Sequence, residues 1–155
     1  MNIKREVIIC VSVVLALSLI IGIIYAVKQS KEDYTEKIIS VLSEKDETTV
    51  KEIFSFEFAR AYVFNDLYIS GDGLAGKYNL NISISEVEAG VSENIQRVVF
   101  VDEAGNFVYE FQCNARDVIM PHKALVIYPE TVIQKEATQE KAIVINFESS
   151  EFYDN

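Results

Sequence analysis

The sequence predicts an α+β protein in which an N-terminal transmembrane helix precedes a small antiparallel β-sheet domain of about five strands with a stalk helix. Three observations support this fold class. A long stretch near the N-terminus has no charge, one later segment has the spacing of an amphipathic helix, and much of the remainder alternates apolar and polar residues as strands do. The 155-residue chain therefore divides into an anchor and one domain of ordinary size.

The predicted anchor is the segment 7–27, which contains twenty-one residues without a charged side chain. A helix of that length spans roughly 31 Å, enough for a bilayer core of about 30 Å. A cleaved secretory signal is the alternative, but its apolar core has only about 7–15 residues. Here the candidate cleavage sites lie mid-stretch or contain a bulky residue, and Cys10 lies too near the start for lipoprotein processing. We predict a retained anchor.

The residues before the span predict its orientation. The short lead, residues 1–6, contains Lys4 and Arg5, and basic leads of this kind usually remain in the cytoplasm. We therefore predict a single-pass protein of the cell membrane with a cytoplasmic N-terminus and a C-terminal domain outside.

Three further segments follow the predicted anchor. Residues 28–49 are predicted to form a helical stalk, because their apolar residues recur at three-to-four spacing. Residues 50–148 are predicted to form the α+β extracytoplasmic domain, and residues 149–155 a loose acidic tail. The apolar positions of the stalk are Tyr34, Ile38, Val41 and Leu42.

Alternation of apolar and polar residues predicts four strands outside the main hairpin. In the segment 54–64, Phe54, Phe56 and Phe58 alternate with polar residues, and Arg60, Tyr62 and Phe64 continue the same phase. This pattern of β-prone residues favours a single strand. Ile82 and Ile84 alternate with serines and predict a short edge strand. Two more apolar segments, 124–128 and 142–147, complete the set.

The clearest local pattern is a β-hairpin. Its arms are 97–101 and 107–111, and the turn segment 102–106 contains a glycine. The first arm is apolar on both of its faces, which is typical of a central strand. The segment 129–141 is polar and is predicted to connect two strands.

A glycine-rich segment lies between the predicted strands. Residues 65–76 hold three of the six glycines and predict a flexible loop with one helical turn after Ser70. Gly71 to Gly76 matches the pattern G-x-G-x-x-G, but a dinucleotide site also needs a long helix after it. The segment that follows, residues 77–85, is short, rich in Asn and Ser, and more like a strand than a helix. We predict no nucleotide and no other cofactor.

Aromatic residues beside this loop predict a surface for a partner. Aromatic side chains next to mobile loops are frequent in recognition surfaces. Tyr68 and Tyr78 flank the glycines, and Asp72 lies between them. We predict that these three residues contribute to a partner surface.

The net charge limits the class of partner. The chain carries −10 at neutral pH and contains no basic run beyond its N-terminal lead. Such a charge repels phosphate backbones and anionic surfaces. We therefore predict no nucleic-acid binding. The charge has two explanations that stay open: it keeps the domain soluble, or it favours a protein partner that carries basic residues.

Cys113 and His122 are the thiol and the imidazole that follow the anchor. A thiolate nucleophile needs a nearby base and a group that orients the base. Sortases join a Cys, a His and an Arg, but their Cys ends a Thr-Leu-x-Thr-Cys strand and follows the His, unlike Cys113. The phase of the second hairpin arm points Cys113 into the core. One Cys and one His also cannot fill a zinc shell without carboxylates, so we predict no catalytic and no metal-binding residue.

Two segments carry a resemblance to known proteins. Phe56-Glu-Phe-Ala-Arg-Ala-Tyr-Val-Phe64, followed by a short Tyr- and Ser-containing loop, and the hairpin 98–111 resemble small uncharacterised exported or membrane-anchored proteins of Gram-positive bacteria. Members of that group have a Pro-Tyr-x-Ser turn where this chain has Asn65 to Ser70. The resemblance implies an exported or anchored domain and no established activity.

Together these observations predict a non-enzymatic, single-pass anchored protein. Its external domain would be a protein-binding or accessory module near the membrane. Two alternatives remain: an immunity protein against an exported toxin, and an envelope enzyme that uses Cys113.

Overall fold

The computed structural model describes residues 33–64, 68–90, 92, 94–121, 124–148 and 151–152. The predicted lead and membrane span lie outside these residues. Within the described part of the chain, no helix combines the length and apolarity that crossing a bilayer would require. Residues 34–155 form one compact unit, and the following description concerns that unit alone.

Helix α1 comprises Tyr34–Glu44 and buries one of its faces in the domain. Tyr34, Ile38 and Leu42 are four residues apart, so they lie on one side of the helix. Lys135 anchors the end of α1, because its ammonium donates to the Leu42 carbonyl at 2.8 Å. Residues 28–49 were predicted as a stalk, and the helix observed among them contributes its apolar face to the domain core.

Sheet 1 has four strands in the order β1–β7–β8–β5. Strands β7 and β8 form a long antiparallel hairpin, whereas β5 pairs with β8 in parallel. Its strands are β1 (Glu47–Thr49), β5 (Val118–Ile119), β7 (Val132–Gln139) and β8 (Ala142–Glu148).

Strand β7 was predicted as a polar connection between strands. It is instead an eight-residue strand, and its residues from Glu136 onward are exposed. Only Ile133 within it is fully buried. Backbone pairing with β8 can hold a strand whose side chains remain in water, so hydrophobic alternation does not reveal it. A short helix, α2 (Val50–Ile53), connects sheet 1 to the rest of the domain.

Sheet 2 has five antiparallel strands in the order β4–β3–β2–β6–β9. Strand β9 pairs with β6 through residues 125–126 and 151–152, so part of the segment predicted as a loose tail is backbone-paired. The strands are β2 (Arg60–Phe64), β3 (Ile95–Val101), β4 (Phe107–Asn114), β6 (Leu125–Ile127) and β9 (Glu151–Phe152).

Sheet 2 contributes residues from both of its faces to apolar cores. One face joins sheet 1 and α1 in the main core, and the other face packs on a second core beside helix α3 (Gly71–Lys77). Strand β2 therefore contributes alternate residues to both cores. The main core contains Tyr34, Ile38, Leu42, Val50, Ile53, Phe54, Ala61, Val63, Val98, Phe100, Phe111, Cys113, Val118, Met120, Leu125, Ile127, Ile133, Ile143, Ile145 and Phe147. The second core contains Tyr62, Phe64, Leu74, Ile84, Val87, Val99, Val101 and Val126.

The predicted α+β class with mainly antiparallel sheets is confirmed. The predicted strand number is wrong, because the described residues contain nine strands in two sheets. Two strand predictions also need correction. The strand predicted over 54–64 begins only at Arg60, and Ile82 and Ile84 flank a single parallel bridge between Ser83 and Asn106.

The predicted hairpin is confirmed as β3 and β4, with the turn at residues 102–106. The Asp102 carboxylate accepts hydrogen bonds from the backbone and side-chain nitrogens of Asn106, at 2.8 and 3.0 Å. Gly105 adopts a φ of 85°, a conformation that favours glycine. The predicted strands at 124–128 and 142–147 are also present, as β6 and β8.

Candidate functional site

A surface groove of about 590 Å³ lies at one end of sheet 2. Four chain segments meet there: helix α2, the residues just before β2, the turn after β3, and Pro129, which lies two residues beyond the end of β6. Antiparallel pairing brings the start of β2 beside the ends of β3 and β6. The groove is lined by Lys51, Phe56, Glu57, Phe58, Ala59, Asp102, Glu103 and Pro129.

Aromatic side chains form the base of the groove. Phe56 and Phe58 are half-buried, and their ring centroids are 5.8 Å apart. Both rings pack edge-on against the buried Phe100, at 5.0 and 4.9 Å. Phe54 supports the same ring from within the main core at 4.6 Å. The two groove rings are therefore held in place by the core.

This packing explains why the residues before β2 have the alternating sequence pattern of a strand. Phe54, Phe56 and Phe58 alternate with exposed residues because all three rings pack in the aromatic cluster around Phe100. Sheet pairing begins only where the Ala59 amide donates to the Val101 carbonyl at 2.9 Å. An alternating sequence thus indicates that alternate side chains are buried. It does not require the segment to be hydrogen-bonded to a neighbouring strand.

The rim of the groove is acidic. Glu57 and Glu103 are exposed, and Asp102 is half-buried. The hydrogen bonds from Asn106 lower the pKa of Asp102, with the side-chain bond the larger cause and the backbone bond the second. Lys51 is the cation of the lining, and its ammonium lies 2.7 Å from the Glu130 carboxylate. The groove therefore combines aromatic surface with uncompensated negative charge.

The predicted partner surface lies elsewhere on the domain. Tyr68 is 61% exposed, and Asp72 is exposed in the first turn of α3. Tyr78 is half-buried, since its ring packs 5.9 Å from the Phe64 ring in the second core. These residues follow the far end of β2, opposite the end at which the groove forms. Their part in binding stays a prediction.

The glycine-rich segment forms a helix where we predicted a loop with one turn. Helix α3 spans Gly71–Lys77 and packs on residues 84–87. A Cβ on Gly71 would lie 1.6 Å from the Ile84 carbonyl oxygen, and the Gly71 amide donates to the Val87 carbonyl at 2.8 Å. This glycine is therefore explained by a close backbone approach, and the match to G-x-G-x-x-G needs no phosphate.

The burial predicted for Cys113 is confirmed. It is 4% exposed in the main core, and its thiol donates to the Val118 carbonyl at 3.8 Å. Desolvation, with a smaller contribution from Asp117, raises the pKa of the thiol to about 12. The sulfur therefore remains a neutral thiol, which disfavours a nucleophilic role. His122 lies outside the described residues, and the described ones contain no cluster of three or more metal-binding side chains.

We expect Cys113 to react with iodoacetamide at least about a hundredfold more slowly in the folded protein than in urea, because the reactive thiolate is suppressed by burial. A Cys10→Ser background leaves one thiol to follow by mass spectrometry. Since the folded pKa lies above the ordinary value of 9.0, the buried thiol favours folding below about pH 9. That contribution is lost as the pH rises toward 12. Rapid labelling of the native chain would contradict this and favour the enzyme alternative.

Arg97 is a structural residue that the sequence patterns did not identify. It is 1% exposed, and its terminal nitrogens donate to the carbonyls of Ile69 at 3.2 Å and Glu88 at 2.7 Å. Its Nε lies 2.5 Å from the Glu110 carboxylate, in a contact that is ionic and not aligned as a hydrogen bond. Arg97 therefore ties both ends of the α3 segment to sheet 2. The sequence feature that could have identified it is the occurrence of an arginine within the apolar run of β3.

Comparison with known proteins provides no assignment. No family model matches the chain, and no significant similarity is found to a curated protein or to a solved structure.

Proposed function

We propose that the chain is a single-pass membrane-anchored protein whose external domain binds a protein partner as an accessory module. The observation that supports binding is the groove at the end of sheet 2. Aromatic residues that are partly exposed yet held by the core are common anchors of protein interfaces. The acidic rim adds electrostatic attraction toward a basic partner.

The proposed location is supported by the uncharged segment 7–27 and the basic lead before it. A C-terminal tag on the full chain tests the location in two ways. The protein should stay with the membrane in alkaline carbonate, and protease added to intact cells should remove the tag. Release of an untrimmed chain by carbonate would contradict the anchor, and protection of the tag would contradict the orientation.

Partner binding can be tested by photo-crosslinking in intact cells. A photoreactive amino acid is placed at Glu57 in the groove, at Tyr68 on the predicted surface, or at Lys141 on the β7–β8 turn as the control. We expect a defined adduct with one protein from Glu57 or Tyr68, and none from Lys141. Adducts of equal yield at all three positions, or none at any, would contradict a specific binding module.

An immunity protein against an exported toxin is the second candidate. The net charge of −10 favours it, because an acidic surface speeds encounter with a basic toxin. The crosslinked partner distinguishes the two: an accessory module would crosslink to a resident envelope protein, whereas an immunity protein would crosslink to a toxin that harms cells lacking this chain.

A further inference from the structure

We propose that the groove binds an extended segment of a partner protein through one arginine or lysine side chain, whose aliphatic part lies on Phe56 and Phe58 and whose charge meets the acidic rim. This inference rests on the proposed function and specifies the chemistry of the partner. It concerns the groove alone and not the surface around Tyr68.

The size of the groove limits its occupant. A volume of about 590 Å³ is that of a small-ligand site. It accommodates a few side chains from one segment of a partner and not the body of a folded domain. The groove is open to solvent at the end of the sheet, where a passing chain can enter.

Aromatic surface beside carboxylates favours a cation over a neutral side chain. A guanidinium or ammonium group within about 6 Å of a ring centroid is attracted to the ring face, and the attraction increases on desolvation. The alkyl part of Arg or Lys can cover apolar surface while the charge stays near polar groups. Phe56 and Phe58 offer the rings, and Glu57, Asp102 and Glu103 offer the carboxylates.

Lys51, the cation of the groove lining, does not cancel the negative charge of the rim. Lys51 is already paired with Glu130, at 2.7 Å between ammonium and carboxylate. The two charges largely neutralise each other, and the three rim acids remain. Anionic lipid and nucleic acid would be repelled, which leaves a basic polypeptide as the fitting occupant.

The two rings and one of the three carboxylates of the site are already in position. Phe56 and Phe58 are held against Phe100, and the Asp102 carboxylate is fixed by two hydrogen bonds from Asn106. Binding therefore has to order the exposed side chains of Glu57 and Glu103 but not the rings or Asp102, which lowers the entropic cost.

The test uses full-length protein in detergent micelles and two defined peptides, acetyl-Gly-Leu-Arg-Leu-Gly-amide and the same peptide with citrulline, which is neutral and nearly isosteric with arginine. We expect the arginine peptide to shift NMR signals of the groove residues and to bind about tenfold more tightly than the citrulline peptide. Equal affinities, or no groove shifts at about 10 mM peptide, would overturn the inference.

Charge variants separate the groove from the overall charge of the domain. The pair Glu57→Gln and Glu103→Gln should weaken the arginine peptide about three- to tenfold. The matched pair Glu136→Gln and Glu140→Gln, on the exposed β7–β8 hairpin, should leave the affinity within about twofold, because neither residue lines the groove and salt screens exposed charges that are not in contact. Equal effects of both pairs would overturn the inference.

Two more results separate the remaining explanations. Free spermidine that binds as tightly as the peptide would assign the groove to a small cation and overturn a polypeptide occupant. A partner crosslinked in cells from Tyr68 but not from Glu57 would leave the proposed function standing and overturn this inference. A peptide that binds in the groove while no crosslinked partner exists would overturn the proposed function and the protein occupant together, and would leave only the preference of the groove for a basic side chain.

Discussion

Replacing Gly71 with alanine is expected to lower the free energy of unfolding by about 3 kcal/mol or more. The new Cβ would lie 1.6 Å from the Ile84 carbonyl oxygen and 2.6 Å from the carbonyl carbon. Both obstacles are backbone atoms, so no side-chain rotation can relieve the overlap. Helix α3 would have to move away from residues 84–87 and disrupt the second core.

Gly76→Ala is the matched control for this prediction. Gly76 lies in the same helix, and an added Cβ would meet nothing within 4 Å. Because alanine favours a helix over glycine by up to about 1 kcal/mol, this variant should be as stable as the parent or slightly more stable. Urea unfolding monitored by circular dichroism measures both. A Gly71→Ala protein of parental stability would show that α3 does not pack as described.

Replacing Arg97 with methionine is expected to cost about 3–5 kcal/mol. The change leaves the Glu110 carboxylate without its cation, and it removes the donors to the Ile69 and Glu88 carbonyls. Buried polar groups without partners are costly because they lose their hydration. The residues around α3 should also lose protection from hydrogen exchange before the main core does.

Two further variants separate charge from packing at this site. The double variant Arg97→Met, Glu110→Leu should regain part of the lost stability, since replacing both members of a buried pair avoids an uncompensated charge. Arg116→Met, at an exposed position, should change stability by less than about 0.5 kcal/mol. If Arg97→Met behaves like Arg116→Met, Arg97 does not secure the α3 segment.

Several elements were predictable because short-range patterns specify them. The β3–β4 hairpin has one arm that is apolar on both faces and one alternating arm, around a turn whose Asp, Gly and Asn residues suit it. Strand β8 is apolar at alternate positions, and the phase of β4 placed Cys113 in the core. In each case the signal lies within about fifteen consecutive residues.

Other elements depend on what lies beside them in space. Strand β7 was missed because β8 pairs with its backbone while the side chains after Lys135 remain in solvent. Phe54, Phe56 and Phe58 were assigned to a strand, although their alternation reflects contact with Phe100, which is more than forty positions away. The separation of the strands into two sheets has no local signature at all.

The amino-acid sequence by itself determined the α+β class, the hairpin, the burial of Cys113 and the acidic charge, because each follows from the order or number of neighbouring residues. Only the tertiary structure decided the position of α1 in the main core, the role of Arg97 and the existence of the groove. Those features join residues that are distant in the chain. Pairing between strands, which sequence order does not encode, brings Phe58, Asp102 and Pro129 to one end of sheet 2.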